Sequence, residues 1–90
     1  MDEKVYKKVV KKIMELRGDG ILKKNDLIIM MYLLAILDTE EYREIKQSKI
    51  CNFTYLTKSE VSKSIKRLLE AEVLERKIGD FESGLKIIGK

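Results

Sequence analysis

The sequence contains no histidine, no proline and no tryptophan, and it has a single cysteine, Cys51. Histidine is the commonest general base and metal ligand, so its absence argues against acid–base catalysis and against a metal site. One cysteine cannot form an internal disulfide, which favours a reducing, cytoplasmic compartment. We expect Cys51 to be a small buried apolar residue. We predict a protein that is not an enzyme and needs no cofactor.

Long apolar runs are also missing. The longest uncharged apolar stretch, residues 27–37, has 11 residues, whereas a membrane-spanning helix needs roughly 18. The charged N-terminus has no signal-peptide pattern. The sequence therefore predicts a protein with no membrane partner, and its 90 residues predict a single domain.

Charge is abundant. Charged residues make up 38% of the chain, and Lys and Arg outnumber Asp and Glu by 19 to 15. This mildly basic balance permits a polyanionic partner but does not require one. The richness in Lys, Ile and Glu is typical of thermophiles, and an AT-rich genome produces the same bias.

A first helix is predicted over residues 2–17, ending before Gly18 and Gly20. Its apolar stripe has helical spacing and consists of Tyr6, Val9, Ile13 and Leu16. The stripe is compatible with docking on its own domain and with pairing in a dimer, and we expect a mixture of both. The five lysines on the outer side form either a solvated face or a stripe for non-specific phosphate contacts.

A second helix is predicted over residues 26–37, with Asn25 as its N-cap. Because residues 27–37 carry no charge, this helix has no polar face and should be buried on nearly all sides. A chain of this size seldom supplies that much cover, so the sequence favours a homodimer. The candidate dimer contacts are Tyr6, Val9, Ile13, Leu16, Met30 and Leu34.

A third helix is predicted over about residues 40–50, with Asp38 or Thr39 as its cap, followed by a turn over residues 51–56. The acidic residues at its start are explained by the helix dipole rather than by a metal site. The side chains expected to enter the core are Tyr42, Ile45, Ile50, Phe53 and Leu56.

The stretch 57–73 has the strongest functional pattern. Thr57 and Glu60 form a Thr-x-x-Glu capping box directly before an apolar run. The inward side of the predicted helix carries Val61, Ile65, Leu68 and Leu69. The outward side carries Lys58, Ser59, Ser62, Lys63, Lys66 and Arg67. Any surface helix can show lysines and serines, but short side chains also let a helix enter the major groove of DNA.

A predicted β-hairpin, residues 74–88, follows at once. A helix, a turn, a capped basic helix and a hairpin in this order point to DNA binding. We assign base contacts to Ser59, Ser62, Lys63 and Lys66. We assign phosphate contacts to Thr57, Lys58, Arg67, Arg76, Lys77 and Lys86.

Residues 57–77, and more loosely 25–50, resemble the winged helix-turn-helix family, most closely its MarR-like transcriptional regulators. The resemblance implies a mainly α fold with a small β-hairpin (α+β) that binds double-stranded DNA as a homodimer, with its recognition helices in successive major grooves. Within one domain, 1–90, it implies an N-terminal helix (1–18) that takes part in dimerisation, a helical core (25–73) and a hairpin wing (74–88). No small-molecule effector is evident.

The sequence departs from this family's pattern at three places. Glu72 stands where the family usually has a glycine, so the recognition helix is expected to end differently or to run longer. The wing tip, residues 80–82, is acidic and should be repelled by phosphates. The chain ends in the wing, which leaves residues 2–17 and 27–37 for dimerisation. The alternative is a winged-helix module for protein–protein contacts, such as a subunit of a larger complex.

Overall fold

Residues 1–78 and 83–89 are described by the computed structural model of the chain. The helices are α1 (Glu3–Gly18), α2 (Lys24–Ile36), α3 (Gln47–Thr54) and α4 (Lys58–Glu70), and the strands are β1 (Leu74–Ile78) and β2 (Ser83–Ile87). The predicted class, mainly α with a small β-hairpin, is therefore confirmed. The predicted acidic wing tip, residues 80–82, lies outside the described residues.

Helix α1 begins and ends within one residue of its predicted bounds, and it includes Gly18. The Asp2 carboxylate caps it by accepting the N–H of Lys4 at 2.9 Å, and the left-handed Gly20 (φ 79°) follows its end. Val9 and Ile13 on its inner side are only 2% and 4% exposed. The helix therefore docks on its own domain.

Three of the predicted dimer contacts, Val9, Ile13 and Met30, are buried in the core of the single chain rather than exposed on its surface. Of the other three, Tyr6 is exposed, and Leu16 and Leu34 are half-buried.

Helix α2 begins slightly earlier than predicted, and Asn25 is not its cap. The Asp26 carboxylate closes the helix start by accepting the N–H of Lys23 at 2.8 Å. A single chain does not bury α2 on nearly all sides, because Met31 is 76% exposed. Only the inner side of α2, formed by Asp26, Ile29, Met30 and Leu33, is buried.

The third helix is the main error of the sequence prediction. Residues 40–46 are not helical, and α3 occupies Gln47–Thr54, part of which was predicted as a turn. The reason is backbone pairing: Arg43 and Leu85 exchange two N–H···O bonds of 2.9 Å each. This isolated bridge places Arg43 beside β2 and holds the segment extended.

Side-chain burial around α3 changes accordingly. Ile50 is buried, and Ile45, Cys51 and Leu56 are half-buried against the core. Tyr42 and Phe53 were expected in the core but are 37% and 66% exposed.

Helix α4 ends at Glu70 through a left-handed residue, although that residue is not glycine. Glu72 has φ 59°, and the N–H of Val73 donates to the Leu68 carbonyl at 3.0 Å. This is the bond of a Schellman C-cap. The expectation of a longer or different helix end is therefore wrong. The ammonium group of Lys12 donates to the Glu72 carbonyl and joins α1 to this turn.

The hairpin closes the core on the side of α4. Its strands are antiparallel, and Leu74 pairs with Ile87 and Arg76 with Leu85. The buried apolar side chains of the hairpin and helices form one cluster: Val9, Ile13, Leu22, Ile29, Met30, Leu33, Leu37, Ile50, Val61, Ile65, Leu68, Val73, Leu74, Leu85 and Ile87. Across residues 1–78 and 83–89, no helix combines the length and the apolar character that a membrane crossing requires.

A glycine at position 72 should stabilise the fold. A left-handed conformation costs a non-glycine residue roughly 1–2 kcal/mol, and glycine avoids that cost. We expect Glu72→Gly to raise the free energy of unfolding by about 1 kcal/mol in urea titrations. Glu70→Gly, inside the last helical turn, is the matched control and should lower it. A lower value for Glu72→Gly would contradict the assigned conformation.

Candidate nucleic-acid interface

The start of α4 is fixed by reciprocal hydrogen bonds. The N–H of Glu60 donates to the Thr57 hydroxyl oxygen at 3.1 Å, and the N–H of Thr57 donates to the Glu60 carboxylate at 3.0 Å. The predicted capping box is confirmed. The N–H of Thr57, above all, holds the pKa of Glu60 below its usual value. This carboxylate therefore places a negative charge where the sequence predicted a phosphate contact for Thr57.

Glu60 also ties α4 to α2. The side-chain amide of Asn25 donates to the second carboxylate oxygen of Glu60 at 3.1 Å. One carboxylate thus caps α4 and holds its first turn against the first turn of α2.

A second tie lies two turns further along α4. The Arg67 guanidinium donates through Nε and Nη2 to both carboxylate oxygens of Asp26, at 2.9–3.2 Å. Nη2 also donates to the hydroxyl of Ser64, which is fully buried. The side chain of Asp26 is fully buried and that of Arg67 is 28% exposed.

Hydrogen bonding favours the charged form of both members of this pair. Burial alone would raise the pKa of Asp26, but hydrogen bonds from Arg67, Ser64 and the N–H of Lys23 outweigh burial and lower it. The hydrogen bond to Asp26 raises the pKa of Arg67. The guanidinium is therefore engaged inside the domain, and we replace its predicted phosphate contact with a role in positioning α4.

The remaining predicted residues of α4 share one solvent-facing side. Val61, Ile65 and Leu68 are buried on the inner side, and Leu69 is half-buried, as predicted. The side chains exposed on the outer side are Lys58, Ser59, Ser62, Lys63 and Lys66. Among the residues that the structure describes, none forms an ion pair with these three lysines.

Helix α3 adds residues that the sequence pattern did not identify. The Ser62 hydroxyl donates to the Gln47 side chain at 3.3 Å, which links the outer side of α4 to the start of α3. Lys46 and Lys58 line one hollow of about 640 Å³, whereas Lys49 of α3 lines a separate hollow with Tyr32 and Ile36 of α2. The sequence prediction missed the approach of Lys46 to Lys58, because residue 46 was predicted to lie inside the third helix, about residues 40–50.

The hairpin brings only one of its predicted cations toward α4. Arg76 lines a hollow of about 230 Å³ with Gln47 and Ile65. Lys77 is exposed, and the alternation of a strand turns it to the opposite face. Lys86 pairs with Glu75 at 3.4 Å and lies 4.7 Å from the centre of the Tyr42 ring. Lys86 is thus held within the hairpin.

No group of three or more carboxylate or cysteine side chains suited to a metal ion is present among residues 1–78 and 83–89. The acidic residues around position 40 do not converge on one point. The Asp38 carboxylate instead accepts the N–H of Thr39 at 2.6 Å, and this bond lowers the pKa of Asp38.

The order of these elements, a helix-turn-helix followed by a hairpin, decides the family. A sequence model described as winged helix DNA-binding domain matches residues 22–84, more than half of the chain. The chain belongs to this winged helix family. No curated protein and no solved structure matches it. The matched residues run from just before α2 to the second strand, so α1 lies outside the family's common core.

Replacing the ion pair separates its structural role from a role on DNA. We expect Asp26→Leu and Arg67→Met each to lower the free energy of unfolding by about 3 kcal/mol, because each leaves the other charge unpaired. The double variant should be close to wild type in stability and in affinity for random duplex DNA, because non-specific affinity depends on the exposed cations rather than on the rotation of α4. Lys66→Met is the matched control and should weaken binding. A stable double variant that binds DNA as weakly as Lys66→Met would return Arg67 to the interface.

The same pair predicts acid sensitivity. The pKa of Asp26 is lower in the folded protein than in the unfolded chain. The ionised Asp26 therefore stabilises the fold fully at any pH above its unfolded-state pKa of about 4. The contribution is lost as pH falls below about 4 toward the folded value. Unfolding free energies measured from about pH 6 to about pH 2.5 should fall less steeply for the double variant than for wild type. Equal slopes of unfolding free energy against pH for the double variant and wild type would contradict the lowered pKa of Asp26.

Proposed function

We propose that the protein binds double-stranded DNA in a sequence-specific manner and acts as a small homodimeric transcriptional regulator, most simply a repressor that blocks a promoter. Family membership supports DNA as the partner. The MarR-like resemblance supports regulation by a dimer on a pseudo-palindromic site. The proposal includes no catalytic step, no cofactor and a cytoplasmic location.

The observation that carries this proposal is the free outer side of α4. Ser59, Lys63 and Lys66 are exposed, while two ties to α2 fix the rotation of the helix. A helix presented in a fixed orientation can place the same side chains against base edges each time it binds. The major groove, about 12 Å wide, admits one such helix.

The roles of the side chains follow from their positions. We assign base contacts to Ser59, Ser62, Lys63 and Lys66, which share the outer side of α4. We assign phosphate contacts to Lys58, Arg76 and Lys77 and add Lys46, which lines a hollow with Lys58 just before the start of α3. Thr57 keeps a hydroxyl proton that can donate to a phosphate, although its oxygen already accepts the N–H of Glu60.

A protein-interaction module is the second candidate. The exposed apolar side chains Met31 and Phe53 favour it, as does the modest net charge of +4. Non-specific affinity for DNA is mostly electrostatic. Absence of binding to random duplex DNA at low salt would therefore favour this candidate.

Substitution of two lysines distinguishes base contacts from phosphate contacts. Lys63→Ala should cost about 1–3 kcal/mol of binding free energy and change the preferred sequence, because it removes a base contact. Lys77→Ala should weaken binding equally on all sequences and reduce the slope of log affinity against log salt by about 0.9.

Binding should be measured by fluorescence anisotropy at several salt concentrations, on duplexes selected from a random pool. Lys8→Ala, an exposed lysine on α1, is the matched charge control and should retain wild-type affinity and sequence preference. Equal affinities and preferences for Lys63→Ala and this control would contradict the assigned role of α4.

A further inference from the structure

The outer side of α2 carries an apolar strip that the single chain leaves open. The strip consists of Ile28, Met31 and Ala35, and Lys24 precedes it on the same side of the helix. Met31 is 76% exposed, Ala35 is exposed and Ile28 is half-buried. The spacings of four, three and four from Lys24 to Ala35 are those of a seam on which another helix packs.

The apolar surface extends beyond the strip. Leu27, Tyr32 and Leu34 flank it and are half-buried. The Tyr32 ring stacks on Phe53 of α3 with 4.8 Å between ring centres, and Phe53 is 66% exposed. Contiguous apolar surface of this kind on a small domain marks an interaction site.

The two ends of the strip differ in charge. Lys23 and Lys24 are exposed at the N-terminal end of α2. At the other end, Asp38 and Glu41 line a hollow of about 290 Å³ together with Leu34 and Ala35, and the N-terminal ammonium of Met1 lies near Asp38. Arg43 also borders this hollow, but its guanidinium donates to the Ile36 carbonyl at 2.9 Å.

We propose that the outer strip of α2 binds the same strip of a second copy of this chain, with the two α2 helices antiparallel about a two-fold axis. Each Lys24 then lies near Glu41 of the other protomer, and Met31 lies near the axis. A parallel arrangement would instead bring Lys23 and Lys24 of the two copies together at one end. The charge pattern therefore selects an antiparallel copy of the chain as the occupant.

This interface leaves the proposed DNA surface open. Asp26, Ile29, Met30 and Leu33 occupy the inner side of α2, where Asp26 meets Arg67 of α4. The strip lies on the opposite side of the helix. The inference gives a surface to the dimer of the proposed function, and it can be tested without DNA.

The first test is the oligomeric state by sedimentation equilibrium, with folding checked by circular dichroism. Wild type should dimerise with a roughly micromolar dissociation constant, because two helices about 20 Å long bury a small interface. Met31→Glu should raise that constant by at least about 100-fold, since it places two carboxylates at the axis. Met14→Glu, at an α1 methionine that is 59% exposed, is the matched control and should leave it unchanged.

Exchanging the charges of Lys24 and Glu41 tests whether the two α2 helices are antiparallel. Lys24→Glu and Glu41→Lys should each weaken the dimer, and the two changes in one chain should restore it. A folded wild type that stays monomeric at about 1 mM overturns the inference, as does dimerisation of Met31→Glu at wild-type strength. Failure of the double exchange to restore the dimer overturns the antiparallel arrangement.

The result for DNA binding is independent of the result for dimerisation. The Met31→Glu monomer keeps α4 and should still bind random duplex DNA at low salt, while it loses cooperative binding to a two-half-site duplex. A wild type that dimerises but binds no DNA would overturn the proposed function and leave the dimer surface standing.

Discussion

The ion pair between Asp26 and Arg67 is the constraint on which the arrangement of the two central helices depends. A fully buried carboxylate must be paired, because leaving it alone costs several kcal/mol. Its partner is 41 residues away on α4, so the pair can be satisfied only when α2 and α4 cross in one orientation. Apolar packing of the same volume would stabilise the domain as well or better. What the ion pair adds is a fixed rotation of α4, reinforced two turns earlier by the bond from Asn25 to Glu60.

The rotation of α4 about its axis determines which of its cationic side chains face solvent. Arg67 is engaged with Asp26, Lys86 with Glu75 and Lys12 with the carbonyl of Glu72. The cations on the outer side of α4 and at the start of α3 point to solvent instead. A net charge of +4 understates the local potential, since internal partners neutralise some cations while others gather on one surface. The positions of the cationic side chains, rather than the net charge, therefore favour nucleic acid as a partner.

Local features of the fold could be predicted from the sequence, and long-range ones could not. The capping box of α4 is a pattern within four residues, and the end of α1 follows from its glycines. Arg43 shows the opposite case, because acidic residues before it favour a helix locally while pairing with Leu85 makes the segment extended. Arg67 was misassigned for a similar reason: an arginine at the edge of a basic helical face has the same pattern whether it meets a phosphate or a distant aspartate. Asp26, directly before the apolar stretch 27–37, was predicted as the first residue of the second helix, and its distant partner left no local signal.

Helix α2 has two functions in this arrangement, because its inner side orients α4 and its outer strip remains available. In the proposed dimer, two α2 helices about 8–10 Å apart would form the centre. Each α4 is tied to its own α2 by side chains with little freedom. The separation of the two recognition helices would then be set by rigid packing rather than by a flexible linker. A dimer of this kind reads half-sites at one fixed spacing, near a helical turn of about 34 Å or a multiple of it. The uncharged stretch 27–37 would thus belong to a helix that is covered on one side by its own domain and, in the proposed dimer, on the other side by its copy.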